Sequence, residues 1–148
     1  MKIQQSAENY LETIFVLTKR NGVVRSIDIA NELGFSKPSV SVAMKALREN
    51  GYIDVMGDGH IILLPEGRKI AEKLYERHTV LTNALVSLGV SEETAAEDAC
   101  KIEHILSDET FEAIKNYHNK IKAWKNFRLI FLNLLTIMYM YSIMYIYW

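Results

Sequence analysis

Residues 26–53 read SIDIANELGFSKPSVSVAMKALRENGYI, and this stretch decides the fold. Its apolar residues recur at helical spacing on both sides of Gly34, which predicts a short helix, a tight turn and a second helix that ends before Gly51. Ser36 is placed to cap the second helix, and Pro38 lies in its first turn, where a missing N–H costs little. This arrangement has the spacing of a helix-turn-helix.

A hairpin is predicted directly after these helices. The β-prone runs YIDVM (52–56) and HIILL (60–64) flank the three-residue loop Gly57-Asp58-Gly59. A helix-turn-helix followed at once by a short hairpin is a winged helix. The alternative is a small α+β module that binds protein.

Four further helices are predicted around this motif. Ser6 can cap one that runs to about residue 20, and Pro65 precedes a long one over about 66–88. Ser91 can cap a helix that ends near residue 106, and Ser107 can cap the next. We therefore expect a mainly α protein, with an N-terminal winged helix-turn-helix followed by an all-helical region.

The composition narrows the class of protein. The chain has 148 residues, of which 49% are hydrophobic and 24% charged, which is typical of a globular protein. One cysteine excludes a disulfide framework and a Cys-rich zinc cluster. The N-terminus lacks the apolar core of a signal peptide, so we expect a cytoplasmic protein. Residues 78–112 carry a net charge of −7, which favours a cation site there.

Three candidate metal ligands share one turn of a predicted helix. Cys100, Glu103 and His104 are spaced i, i+3 and i+4, so a thiol, a carboxylate and an imidazole lie on one face. Such a mixture suits Fe(II), Mn(II), Co(II) or Zn(II). A buried cysteine beside a solvated Glu-His pair would show the same pattern.

Three more polar residues stand out elsewhere in the chain. His78 falls on the apolar stripe of the long helix, where an unpaired imidazole is costly to bury. A core histidine bonded to a carbonyl is the alternative. Asn9 and Glu12 lie three residues apart on the first helix and off its apolar stripe, which would otherwise be an ordinary solvated face. Spacing alone does not show that these residues meet.

Several motifs resemble the diphtheria toxin repressor and manganese transport regulator family of metal-dependent transcriptional repressors. The match runs from about residue 6 to residue 118 and rests on AENYLETI (7–14), residues 26–53, LLPEGRKIA (63–71), RHTVL (77–81) and EDACKIEHILSDE (97–109). The resemblance implies a site for Mn(II) or Fe(II), with Zn(II) or Co(II) binding in vitro. The ligands it implies are Asn9, Glu12, His78, Cys100, Glu103 and His104.

This chain departs from the family pattern at several positions. Asn9 stands where relatives use Asp or Met, and Thr82 and Ala96 stand where iron sensors place ligands of an ancillary site. Cys100 stands where manganese sensors have Glu; a thiolate favours Fe(II), Co(II) or Zn(II), whereas Glu12 is a hard ligand. Manganese and iron therefore both stay open. The chain has no room for the SH3-like third domain of the iron sensors.

The motifs and the resemblance together predict three regions and a DNA-reading face, and the last of these regions is not part of the family pattern. We expect a winged helix-turn-helix DNA-binding domain at 1–70, a helical metal-binding and dimerisation domain at 71–120, and an apolar tail at 121–148. Lys37–Asn50 would be the recognition helix, and the wing tip lacks basic residues. The expected DNA contacts are Arg25, Ser36, Lys37, Pro38, Ser39, Ser41, Val42 and Lys45; for the serines, a cap or plain surface role is the alternative.

These features predict a homodimeric regulator that binds a palindromic double-stranded DNA operator when loaded with metal and represses metal-uptake genes. It would have no small-molecule substrate and would not be an enzyme, since no nucleophile–base pair or glycine-rich phosphate loop is visible. The alternatives are a winged-helix regulator that does not sense metal, a small metalloenzyme and a membrane-tethered adaptor.

The tail is unlike the family. Residues 129–148 contain no charged side chain and follow four cations: Lys120, Lys122, Lys125 and Arg128. Three interpretations stay open: an altered or frameshifted C-terminus, a buried dimer helix, and a membrane anchor, which the length and the flanking cations allow but which we do not favour.

Overall fold

The computed structural model describes the backbone of residues 4–146 and the side chains of residues 4–128 and 130–137. Six helices and one two-stranded antiparallel hairpin follow each other along the chain. Their bounds are α1 Gln5–Asn21, α2 Ser26–Leu33, α3 Lys37–Glu49, β1 Ile53–Val55, β2 Ile61–Leu63, α4 Pro65–Ser87, α5 Glu92–Ile102 and α6 Asp108–Ile146. The predicted fold class, a mainly α chain with an N-terminal winged helix-turn-helix, is confirmed.

Local signals explain most of the element ends. The Ser36 hydroxyl accepts a hydrogen bond from the Ser39 N–H at 3.3 Å, and Ser91 and Ser107 cap α5 and α6 in the same way. Gly34 adopts a left-handed conformation, with φ of 66°, after α2. The Ser6 cap was wrong, because α1 already begins at Gln5 and Ser6 lies inside its first turn.

The first core lies between α1, α2, α3 and the hairpin. The apolar stripe predicted on α1 is buried, and it packs with buried residues of the other elements. The largest of these fully buried side chains are Leu11, Ile14, Leu17, Val24, Ile29, Val40 and Ile53. The Ile61 N–H donates to the Val24 carbonyl at 2.8 Å, which ties β2 to the segment before α2. The helix-turn-helix and the wing thus share one core.

Helix α4 connects this unit to the helices that follow. It packs against α1 on one side and against α5 and α6 on the other. Gly67 in its first turn lies so close to β1 that a Cβ there would stand 2.1 Å from the Tyr52 carbonyl oxygen. Side chains of α1, α4 and the end of α5 therefore meet where the winged helix-turn-helix adjoins the helices that follow it.

Helix α6 leaves its neighbours as it continues. Among its described side chains, apolar residues from Tyr117 onward are largely exposed, and Trp124, Phe127 and Phe131 stack along one side. No helix of the described residues combines the length and the hydropathy of a membrane span. Part of the predicted apolar tail at 121–148 lies outside the described residues, because no side chain is described at position 129 or beyond position 137.

Candidate metal centre

Three elements each contribute one polar side chain to a single cluster. Glu12 comes from α1, His78 from α4 and Glu103 from the turn that follows α5, and their ligand atoms all lie within 4.8 Å of one another. Glu103 is completely buried, and its Oε2 lies 3.1 Å from His78 Nδ1. Two carboxylates and one imidazole form a donor set that first-row divalent metals accept.

The pKa values of Glu12 and His78 are both raised in this cluster. Burial, followed by the nearby charge of Glu103, raises the pKa of Glu12 to about 7. The hydrogen bond to Glu103 raises the pKa of His78 above its ordinary value. Near neutral pH the cluster therefore holds a proton that a cation could replace.

His104 extends the cluster on the other side of Glu103. Its side chain is only 3% exposed, and its Nε2 lies 3.4 Å from Glu103 Oε1. Its Nδ1 lies 2.9 Å from Glu8 Oε2 on α1. Each oxygen of Glu103 thus faces a different histidine.

Three of the predicted ligands each have an unpaired polar atom. Asn9 Oδ1, Glu103 Oε1 and His104 Nε2 are buried and find no hydrogen-bond partner among the described residues. Buried polar atoms normally have a hydrogen-bond partner, so these exceptions indicate that the site takes a further group, such as a cation. The residues present fit a divalent cation, because oxygen and imidazole nitrogen atoms dominate the set.

Arg77 holds the turn that carries two of these residues. It is buried, and its Nη1 donates to the carbonyls of Glu103 at 2.7 Å and Leu106 at 2.8 Å, while its Nη2 donates to the Asp108 carboxylate. Helix α5 was predicted to continue to about residue 106 but ends at Ile102. The Glu103 carbonyl, which a longer helix would bond to the N–H of residue 107, accepts from Arg77 instead.

The second expected surface lies on α3. The side chains of Lys37, Pro38, Ser39, Ser41, Val42 and Lys45 are all exposed. The Ser36 hydroxyl is also exposed but already serves as the helix cap and contacts the Ser39 hydroxyl at 2.8 Å. Arg25 Nη2 lies 3.3 Å from His60 Nε2, which places this cation beside the wing.

Two family models together cover most of the chain. Residues 2–61 match the iron-dependent repressor N-terminal DNA-binding domain, and residues 64–124 match the iron-dependent repressor metal-binding and dimerisation domain. A curated relative, the transcriptional regulator MntR of Escherichia coli O6:H1, is 37% identical over 113 residues, covering 76% of this chain and 73% of that protein. The chain belongs to the iron-dependent repressor family. It is accordingly a metal-dependent, DNA-binding transcriptional regulator that forms homodimers.

This chain covers different shares of two other relatives. An HTH-type transcriptional regulator of Methanocaldococcus jannaschii is 35% identical over 122 residues, which are 81% of this chain and 98% of that one. The solved structure of the manganese regulator SloR matches 80% of this chain with a TM-score of 0.68 and 26% identity. This chain spans only 55% of the SloR chain.

The repressor-family models place the cluster across a domain boundary. Glu8, Asn9 and Glu12 fall in the DNA-binding match, whereas His78 and Glu103 fall in the metal-binding and dimerisation match. The two matches meet between residues 61 and 64. The division expected at residue 70, and the end of the second domain at residue 120, stay predictions.

Cys100 occupies a different position from the other predicted ligands. It is largely exposed and lies outside the group of ligand atoms formed by Glu12, His78 and Glu103. Partial burial raises the pKa of its thiol, and the nearby charges of Glu103 and Glu12 raise it further. The thiol therefore lies within the field of the cluster, and its role as a ligand stays a prediction.

Sequence reasoning missed Glu8 and Arg77. Glu8 lies four residues before Glu12, which is a visible sign that both share a face of α1. Arg77 precedes His78 in a motif that the sequence singled out, but only its histidine was assigned a role. Both residues act through contacts that join distant parts of the chain.

Proposed function

We propose that this regulator represses metal-uptake genes in the cytoplasm by binding a palindromic operator as a dimer when Mn(II) or Fe(II) occupies the cluster. One observation carries the proposal: the ligand atoms of Glu12 from the DNA-binding half and of His78 and Glu103 from the metal-binding half lie within 4.8 Å of one another. The proposal includes no catalytic step at this centre.

The residues proposed to hold the ion lie on two parts of the protein, and a bound ion would fix the position of one part relative to the other. Asn9 and Glu12 belong to α1, which packs on the DNA-reading unit, and His78, Glu103 and His104 belong to the other half; Cys100 completes the proposed set. A bound divalent cation supplies the positive charge that lets both carboxylates stay ionised side by side. Without it, Glu12 and Glu103 repel each other or share a proton, and α1 is free to shift.

The preference for manganese or iron follows from the same donors. Carboxylate oxygens favour hard cations such as Mn(II), while imidazole nitrogen suits iron and zinc equally well. The exposed Cys100 thiol is the one soft donor nearby. We therefore expect Mn(II) and Fe(II) to activate the protein, and Zn(II) or Co(II) to bind in vitro.

The proposed DNA contacts lie on one exposed face. Ser39 and Ser41 can donate to phosphates or base edges, and Val42 can contact a thymine methyl group. Lys37, Lys45 and Arg25 suit phosphates, and Ser36 and Pro38 lie at the start of the same helix. In a dimer, two such helices would be spaced by one helical turn of DNA.

The proposed dimer interface includes a groove between α4 and α6. It has a volume of about 410 Å³ and is lined almost entirely by apolar side chains, among them Leu81, Leu85, Leu88, Ile114 and Tyr117. Leu88 is 75% exposed in the single chain. An apolar surface of this kind is stabilised when a second copy covers it.

The test is DNA binding measured by fluorescence anisotropy, on DNA from upstream of the gene, with chelator and with Mn(II), Fe(II) or Mg(II). We expect Mn(II) or Fe(II) to tighten binding by about tenfold or more, a typical allosteric coupling. Glu103→Gln and His104→Ala should abolish this gain, and Glu109→Gln, an exposed carboxylate on α6, should retain it. Equal affinity with chelator and with metal would overturn the proposal.

A further inference from the structure

Glu8 makes a contact that the proposed ligand set does not use. Its Oε2 lies 2.9 Å from His104 Nδ1, across 96 positions of sequence. Glu8 belongs to α1, and His104 belongs to the turn after α5. The Glu8 side chain is 25% exposed, whereas the imidazole it contacts is almost fully buried.

This contact determines which ring nitrogen of His104 carries hydrogen. A carboxylate oxygen can only accept a hydrogen bond, so Nδ1 must be the donor. In the neutral ring, Nε2 then carries the lone pair. That nitrogen is buried, has no hydrogen-bond partner among the described residues, and lies 3.4 Å from Glu103 Oε1.

In that neutral form, two acceptor atoms face each other. Such an arrangement is unfavourable unless a proton or a metal cation lies between the two atoms. A histidine that binds metal through one nitrogen commonly donates its other N–H to a carboxylate, which fixes the ring and its tautomer. The geometry around His104 has each of these parts.

We propose that Glu8 is a positioning residue, whose carboxylate holds the His104 ring so that Nε2 faces Glu103 and the metal centre. This inference rests on the proposed function, since it takes the cluster to be the metal site. Glu8 lies on the DNA-reading side of the molecule. It therefore ties the orientation of a ligand in one half to the position of α1 in the other.

Glu8 lies beyond the group of ligand atoms that Glu12, His78 and Glu103 form. It acts through His104, and Glu12, one turn further along the same helix, reaches the cluster itself. The two carboxylates thus have different roles, since Glu12 contributes a ligand atom and Glu8 orients a ligand.

The experiment uses the full chain and four variants: Glu8→Gln, Glu8→Ala, Glu103→Gln and the control Glu66→Gln, which changes an exposed carboxylate on α4. The first measurement is the ¹⁵N chemical shifts of the histidine rings in the metal-free protein at one pH. We expect the Nδ1–H form for His104 in the wild type and the control, and a mixture of both tautomers in Glu8→Ala.

The second measurement is the affinity for Mn(II), from the amplitude of the free-ion EPR signal. Loss of such an outer partner weakens metal binding by about 10- to 100-fold, and we expect this for Glu8→Ala. Glu8→Gln keeps a neutral acceptor and should lie between Glu8→Ala and the wild type. Thermal unfolding of each metal-free variant checks that the fold is intact.

The outcomes separate the two proposals. If Glu8→Ala keeps the Nδ1–H form of His104 and the wild-type Mn(II) affinity, the role of Glu8 is overturned. If the wild type and Glu103→Gln bind Mn(II) equally weakly, the metal site itself is wrong, whatever Glu8 does. A shifted tautomer together with weaker Mn(II) binding in Glu8→Ala supports the positioning role.

Discussion

At the scale of single residues, the proton held by Glu12 makes the centre sensitive to pH. The pKa of Glu12 is raised to about 7, so between about pH 4.5 and pH 7 the folded chain keeps a proton that the unfolded chain has lost. The stability of the metal-free protein should therefore fall as pH rises through this window. The raised pKa of His78 acts in the same direction just above its ordinary value.

Metal binding should show the opposite trend. A cation must displace the protons on Glu12 and His78, so we expect the Mn(II) affinity to rise from pH 5.5 and to level off above about pH 7. The free-ion EPR signal across this pH range measures it. In Glu12→Gln the steepest part of the dependence should disappear; an unchanged slope in that variant would contradict the assignment.

Arg77 should matter more for the metal-free fold than its neighbour Lys73. Arg77→Met would leave the buried carbonyl of Glu103 and that of Leu106 without their donor, which costs about 1–3 kcal/mol for each buried group. Lys73 contacts the same Asp108 carboxylate at 2.8 Å but from solvent, so Lys73→Met should cost less than about 1 kcal/mol. Urea unfolding of both variants measures the difference, and equal losses would refute it.

These residues also show what the sequence could and could not reveal about the site. The positions of Glu12, His78 and Glu103 within their helical patterns, together with the family resemblance, pointed to three side chains that the fold brings together. The Glu8–His104 contact had no such signal, because residues 96 positions apart meet only through the packing of α1 against the helical half. Contacts between side chains of two domains depend on how the domains pack, and the hydrophobic periodicity of the sequence does not predict this.

At the scale of elements, the junction of α4 with the wing requires glycine at position 67. A Cβ there would stand 2.1 Å from the Tyr52 carbonyl oxygen, which is backbone and cannot rotate away. We expect Gly67→Ala to destabilise the protein by about 1–3 kcal/mol, although alanine is the better helix former by about 0.5–1 kcal/mol. Gly57→Ala is the matched control, since a Cβ on that wing residue meets nothing within 4 Å. Thermal unfolding compares the two, and a stabilised Gly67→Ala would be the contrary result.

Element boundaries were predictable where a side chain caps the backbone locally. Ser36, Ser91 and Ser107 accept hydrogen bonds from N–H groups three residues on, and these helices begin where the sequence predicted. The end of α5 was misplaced because the carbonyl of Glu103, the residue just after it, accepts a hydrogen bond from Arg77, 26 residues away in the sequence. A helix stopped by a distant side chain leaves no mark in its own sequence.

At the scale of the whole molecule, the dimer interface links the metal-binding half to the spacing of the recognition helices. Leu88 and Tyr117 line the α4–α6 groove and are exposed in the single chain, so the variant Leu88→Glu, Tyr117→Glu should leave the monomer fold unchanged. It would bury charge in the interface, and we expect a monomer by analytical ultracentrifugation.

DNA affinity should then fall steeply and lose its dependence on Mn(II), because one recognition helix alone cannot contact two half-sites. The matched control is Val23→Glu, which alters an exposed apolar residue outside this groove and away from the metal centre. A double variant that still dimerised and bound DNA would place the interface elsewhere.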